Sequence, residues 1–347
     1  MSLSNRKKFF LKSAIVVGIL SFVIVLYFFY LFFAPNISTK SGKETYLYIY
    51  PESSLETVID SIEVNASIKS KATFKQAARM LKYTNIRTGK YKIPNGISNY
   101  RLIKRLRNKE QMPVKVTFNN IRTKEQLAGR LSSLLMPDST SIINLLNDRF
   151  FLSAYGLTPG IAVIYFIPNT YELFWDTDAE KLFGRMEYEY NKFWTDERKA
   201  KAAAIPLTET EVSILASIVE EETNKSAERP IVAGLYINRL RKGMPLQADP
   251  TVKFAINDFG IQRVLLKHLE VDSPYNTYKY TGLPPGPIRT PSINSIDAVL
   301  NYKTHNYIYM CAKETLNGEH NFAVTLSEHL NNAAKYQKAL NQMRIFK

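Results

Sequence analysis

Cysteine is nearly missing from this 347-residue chain. The single one, Cys311, has no partner for an intramolecular disulfide, so the fold does not depend on covalent staples. Histidine is scarce too, and the four that occur show none of the His-x-x-x-His or Cys-x-x-Cys spacings of a metal site. No glycine-rich phosphate loop is present, and no internal repeat or low-complexity tract is visible. The expectation is a protein with no cofactor and no metal. Charge is absent from Ser13 to Ala34, a run long enough to cross a hydrocarbon core that needs about 20 residues. A cleaved signal peptide has a shorter apolar region of about 7–15 residues, followed by a small-residue cleavage site. This run instead ends on Phe32 and Phe33, and residues 13–34 are read as an uncleaved transmembrane helix. Arg6, Lys7, Lys8 and Lys12 precede it, so residues 1–12 form a cytoplasmic tail by the positive-inside rule and the rest of the chain lies outside the membrane. No cysteine stands near the anchor, which excludes a lipoprotein modification.

What is abundant is positive charge, with a net of +15. A basic surface suits nucleic acid, anionic lipid or an acidic polymer, and the topology removes nucleic acid from reach. The densest patch is the helical stretch Tyr100–Lys109, with Leu102, Ile103 and Leu106 turned inward and the basic residues outward. A solvated helix face explains it without a partner. Composition divides the remaining chain into a polar linker at 35–43, a small α/β module at 44–112 and a larger α+β domain at 113–345. The module is expected to hold strands at Tyr46–Tyr50 and Lys90–Ile93, and helices near Ser54–Ser61 and Phe74–Leu81. The larger domain opens with an alternating strand, Val114–Phe118, and an amphipathic helix, Thr123–Leu135. Tyr307–Ala312, which contains Cys311, reads as a buried strand.

The run Ile214–Thr223 carries the strongest chemical signal. Thr208 with Glu211 three residues later is a capping-box pattern, which starts a helix at about Glu209. On a helix advancing about 100° per residue, Ile214, Leu215, Ile218 and Val219 form an apolar stripe centred near roughly 70°, and Glu222 falls near roughly 80°, inside it. Glu220 and Glu221 fall outside the stripe or at its edge and are expected to reach water. Desolvation raises a carboxylate's pKa, which turns a glutamate into a proton donor near neutral pH. The alternative is a helix-end carboxylate that curls out to solvent or to an arginine. A second helix follows at about Ile231–Gly243, and then two segments rich in Pro, Gly, Asn and Asp, Leu246–Thr251 and Ser273–Ile288. Such composition argues against ordinary helix or strand and makes them candidate walls of a cleft.

Six motifs stand in order: Ala216-Ser-Ile-Val-Glu-Glu-Glu-Thr223, Ile237-Asn-Arg-Leu240, Leu246-Gln-Ala-Asp-Pro-Thr251, Tyr275-Asn-Thr-Tyr278, Gly282-Leu-Pro-Pro-Gly-Pro-Ile288 and His320-Asn-Phe322. Together they resemble the endolytic murein transglycosylases of the YceG-like family, over roughly 114–336. The resemblance implies a catalytic glutamate at Glu222, the residue that helix periodicity also selects. It implies cleavage of the bond between N-acetylmuramic acid and N-acetylglucosamine in nascent peptidoglycan strands, leaving 1,6-anhydro ends and terminating elongation. It also implies an inner-membrane, extracytoplasmic setting and a LysM-like module at 44–112. Peptidoglycan synthases are candidate partners. In Tyr165–Glu172 the family usually has Asp after the proline where this chain has Asn169, so a charged role there is in doubt.

Substrate-binding candidates follow from side-chain chemistry within those motifs. Gln247 offers a donor and an acceptor to sugar hydroxyls and acetamido groups, with local loop bonding as the alternative. Asp249 is the best available second carboxylate, which a two-carboxylate hydrolase would need; a turn-forming role before Pro250 competes. Tyr275 and Tyr278 can stack on pyranose faces and Asn276 can bond their edges, with loop packing as the alternative. His320 can orient Glu222 or a sugar, with a structural role as the alternative. Asn238 and Arg239 are expected to hold the glutamate's helix in place more than to reach substrate. Two other classes compete with the enzyme: a non-catalytic peptidoglycan-binding membrane scaffold, and a pyridoxal-phosphate lyase. The latter needs a lysine Schiff base and a phosphate cradle, for which no motif is found.

Overall fold

The computed structural model describes residues 3–261 and 263–343, so the first residues of the 1–12 tail and the last of the 113–345 domain fall outside it. The chain forms two compact units, one of residues 1–115 and 172–176, the other of 116–171 and 177–347.

In the first unit α1 (Leu3–Phe33) runs through the uncharged segment, and its Lys7–Phe33 portion is long and apolar enough to cross a membrane. The stretch 35–43, read as a linker, instead contains β1 (Pro35–Thr39) directly after the helix. Its polar composition hides a structural role. Ile37 is fully buried, and the Asn36 amide donates to the Ser70 carbonyl and to Asn99 Oδ1 at 2.7 Å. The unit continues through β2 (Thr45–Ile49), α2 (Leu55–Asn65), β3 (Ala66–Ile68), α3 (Lys71–Met80), β4 (Gly89–Ile93), β5 (Ile97–Ser98) and α4 (Asn99–Arg107). β1 lies between β3 and β5, and β2 pairs antiparallel with β4, placing Leu47 opposite Tyr91. α2, α3 and α4 each start after a serine, Ser54, Ser70 and Ser98, whose hydroxyl accepts an N–H three residues on, a cap that contributes about 1 kcal/mol. The core holds Ile59, Phe74, Tyr91, Leu102, Ile103 and Leu106, each large side chain stabilising the fold by roughly 1.5–3 kcal/mol. Leu31 of α1 is fully buried in that core, and its carbonyl accepts from Asn99 Nδ2 at 2.9 Å.

β6 (Pro113–Phe118) and β7 (Asn169–Phe174) pair as a two-stranded ribbon. The helices of the second unit are α5 (Lys124–Ser132), α6 (Ser139–Asn147), α7 (Arg149–Ser153), α8 (Ala179–Phe193), α9 (Asp196–Ala204), α10 (Glu209–Glu222), α11 (Arg229–Arg241), α12 (Asp249–Ala255) and α13 (Ile293–Leu300). The hairpin of β8 (Tyr309–Ala312) and β9 (His320–Ala323) follows, then α14 (Leu326–Gln342). The mixed helix and sheet content is that of an α+β protein. β8 is half-buried along its length, Cys311 included; the expected fully buried strand is corrected because the hairpin has a single partner strand.

α10 is the centre of this unit. The capping box forms as expected, with the Thr208 hydroxyl accepting from Glu211 N and Glu211 Oε2 accepting from Thr208 N. Val212 to Val219 are all buried, because α11, α12 and α13 pack around the helix. Beside it, α11 is approached closely by the segment 303–305: Lys303 N donates to the Pro230 carbonyl and the His305 ring meets the Ile231 carbonyl. A Cβ at Gly234 would collide with the Lys303 carbonyl oxygen and lie 2.8 Å from His305 Nε2. Gly234→Ala is therefore expected to destabilise the protein by about 2 kcal/mol, the usual effect of overpacking, read as a lowered urea midpoint with an unchanged m-value.

Candidate active site

Glu222 is the last residue of α10, where the helix carries its side chain towards α11. There Glu222 Oε1 accepts a hydrogen bond from the Tyr236 hydroxyl at 2.5 Å. Burial pushes the Glu222 pKa up to about 7, against the opposing pull of the Tyr236 hydrogen bond. The negative charge of Asp249 raises it further, while Lys253 and Arg239 lower it. Tyr236 is itself buried and its pKa is raised well above the ordinary value, first by burial and then by the charge on Glu222. It therefore stays protonated and donates.

Glu222 opens into a cavity of about 240 Å³ that is also lined by Tyr236, Arg239, Gln247, Asp249, Tyr278 and His320. Asp249 and Tyr278 are joined, the tyrosine hydroxyl donating to Asp249 Oδ1 at 2.6 Å; burial and this bond raise the Tyr278 pKa. Asp249 is not in an irregular loop, as its composition suggested, but begins α12. Pro250 is the reason, since a proline at the first helical turn gives up only an N–H that has no intrahelical partner. Gln247 is exposed, with a left-handed φ of 51°, and its Oε1 accepts from Arg239 at 3.2 Å. Its backbone N–H donates to the Thr277 carbonyl at 3.0 Å, and Thr277 Oγ1 accepts from Ala248 N at 3.0 Å. These bonds pin the two cavity-lining loops to each other.

Two expected substrate contacts do not line the cavity. Tyr275 packs its ring 4.8 Å from Phe254, with its hydroxyl beneath Gly286. Asn276 is fully buried, donating both amide protons to the Leu269 and Val271 carbonyls and accepting from Tyr278 N. The turn at 273–280 sends Tyr278 to the cavity and these two side chains into the loop interior, so they support the wall and do not form it. The proline-rich turn is fastened to α10 through Ile288 N, which donates to Ser217 Oγ at 3.0 Å.

His320 lines the cavity and is held from behind, its N–H donating to Glu228 Oε1 at 2.8 Å and its Nδ1 lying 3.0 Å from Glu228 Oε2. Glu228 also accepts from Thr223 Oγ1 at 3.1 Å, tying the histidine to the end of α10. Arg239 donates to the carbonyls of Ile308, Leu246 and Pro245, and Asn238 donates to those of His305 and Tyr307. Both residues hold structure, and Arg239 also reaches the cavity.

Glu220 and Glu221 differ from expectation. Their side chains are only 10% and 15% exposed, and neither is solvated freely. Arg122 grips Glu221 in a bidentate pair at 2.8 and 3.0 Å. Arg289 bonds Glu221 Oε1 at 2.8 Å and approaches Glu220 Oε1 at 3.4 Å. Sequence reasoning missed Tyr236 and Glu228 outright. Tyr236 sits on a helix that is apolar on most sides, where periodicity singles out no face. Glu228 offered only a weak signal as a charged residue just before a helix. Among the described residues, no group of three or more His, Cys, Asp and Glu side chains is arranged to hold a metal ion.

Residues 47–335 match the model of the YceG-like family. The chain is 30% identical over 320 residues to an endolytic murein transglycosylase of Bacillus subtilis, covering 87% of this chain and 88% of that protein. It is 26% identical to an endolytic murein transglycosylase of Streptococcus pneumoniae, covering 93% of this chain and 65% of that longer protein. In structure it resembles a yceG-like protein of Listeria monocytogenes, with a TM-score of 0.56, 26% identity, and coverage of 83% of this chain and 98% of that one.

Proposed function

Because this chain belongs to the YceG-like family, we propose that it is a lytic transglycosylase that cuts peptidoglycan strands internally, with Glu222 as its single acid and base. The observation that carries this reading is a glutamate poised near pH 7 in a sugar-sized cavity, bonded to a protonated tyrosine. In the proton-donating state, neutral Glu222 gives its proton to the glycosidic oxygen as the C1–O bond of N-acetylmuramic acid breaks. The resulting carboxylate takes the proton from that sugar's C6 hydroxyl as the C6 oxygen bonds to C1. Glu222 regains its proton, no water is consumed, and the product carries a 1,6-anhydro end. Asp249, Gln247, Tyr278 and His320 offer charge and hydrogen bonds to the sugars on either side. The α1 helix serves as a membrane anchor with its basic end in the cytoplasm, so the cavity works outside the membrane.

Mass spectrometry of the sugar termini released from purified glycan strands tests this proposal. Anhydro ends support it. Reducing ends would assign a hydrolase with Asp249 as the second carboxylate, and uncut but bound strands would assign a scaffold.

The Tyr236 bond has a separate, readable effect. It stabilises the carboxylate, so Tyr236→Phe is expected to raise the Glu222 pKa above its present value of about 7. Since the protonated form starts the reaction, the alkaline limb of the pH–rate profile should move to higher pH. An unmoved limb would detach Tyr236 from the acid.

A further inference from the structure

A second, smaller hollow of about 60 Å³ lies beside the main cavity and is lined by Arg122, Glu221, Pro250, Lys253, Phe259 and Ile288. Asp249 lines the first hollow and its neighbour Pro250 the second, so only the first turn of α12 separates them. The two cations of the smaller hollow are in different states. Arg122 is neutralised by Glu221 and its guanidinium lies 5.3 Å from the Phe259 ring centroid. Lys253, one turn after Asp249 on α12, is half-buried, and its side-chain ammonium has no ion-pair or hydrogen-bond partner among the described residues. Its charge nevertheless reaches Glu222, whose pKa it lowers. An ammonium that lines a hollow with no carboxylate bonded to it keeps its donors open, and it is disposed to take an anion.

The sugar rings of peptidoglycan are neutral; its anionic groups are carboxylates carried on the lactyl side of N-acetylmuramic acid. We propose that Lys253, beside the apolar surface of Phe259 and Pro250, is the subsite for such a carboxylate, so that the chain selects muramoyl-bearing strands by charge one helical turn along α12 from Asp249 at the main cavity. The identity of the ligand rests on the transglycosylase reading; the presence of an anion subsite does not.

Binding is measured with the full chain in detergent carrying Glu222→Gln, which keeps strands intact. Three probes are compared: peptide-bearing glycan, glycan stripped by an amidase so that only the lactyl carboxylate is left, and a chitooligosaccharide, which has no carboxylate. Adding Lys253→Met is expected to reduce the affinity ratio of carboxylate-bearing probe to chitooligosaccharide by about tenfold, as loss of one charge-assisted contact does. Lys253→Arg should keep the ratio. A fall confined to peptide-bearing strands assigns a stem-peptide carboxylate, and a fall confined to stripped strands assigns the lactyl group. Unchanged ratios for both would overturn the subsite. Strands that bind with this Lys253-dependent preference but are left uncut by the unsubstituted chain would retire the transglycosylase reading alone.

Discussion

Glu222→Gln is expected to reduce kcat on glycan strands by about a thousandfold, within the range that general acid–base catalysis supplies, while leaving strand binding in place. The amide can still accept from Tyr236 but has no proton to give to the glycosidic oxygen. The same change should make the protein more stable at alkaline pH. A carboxyl raised from 4.5 in the unfolded chain to about 7 in the fold favours folding fully below 4.5 and loses that contribution as pH rises through 7. Above pH 7 the wild type therefore carries a destabilisation of about 3 kcal/mol that glutamine lacks. Urea titrations of the two proteins at pH 4 and pH 8 check this: the variant should be the more stable at pH 8, with a gap that shrinks as pH falls. A variant that loses both activity and stability at pH 8 would show that Glu222 is a structural carboxylate.

Arg289→Met carries the largest expected loss of stability. Its guanidinium, 9% exposed, lies against two carboxylates that are 10% and 15% exposed, and it also donates to Asn120 Oδ1 at 2.9 Å. Removing it leaves Glu220 with a single bond, from Ser292 N, and leaves Glu221 to Arg122 alone. Breaking a buried pair by deleting one partner costs about 3–5 kcal/mol, because the remaining charge stays desolvated. Calorimetry should show a fall in Tm of roughly 2–4 °C for each kcal/mol lost. Adding Glu221→Gln to Arg289→Met should recover part of the loss by removing one orphaned charge. An unchanged Tm would mean that water reaches these groups freely.

The features legible in the sequence are those fixed by local spacing. Thr208 and Glu211 meet because a helix start brings them together, and Glu222 points inward because of the helical repeat. Spacing was silent where distant segments decide the outcome. Nothing around Glu221 announces that Arg289, far along the chain, arrives to pair with it, so an edge position was read as a solvated one. Within Tyr275-Asn-Thr-Tyr278 the residue types alone made all three polar side chains equal candidates, but a tight turn sends neighbouring side chains in different directions, and of the three Tyr278 lines the cavity. Pro35–Thr39 looked like a linker because a strand whose one large apolar side chain is Ile37 has too little alternation to register against a polar background.

With α1 seated in a bilayer, its union with the first unit makes a mooring post of it instead of a leash. Leu31 is packed into the core and Asn99 grips its carbonyl, while β1 starts at Pro35 with a single residue between. Slack at this junction is therefore absent, and any tilt or axial rotation of the span turns the small module through the same angle.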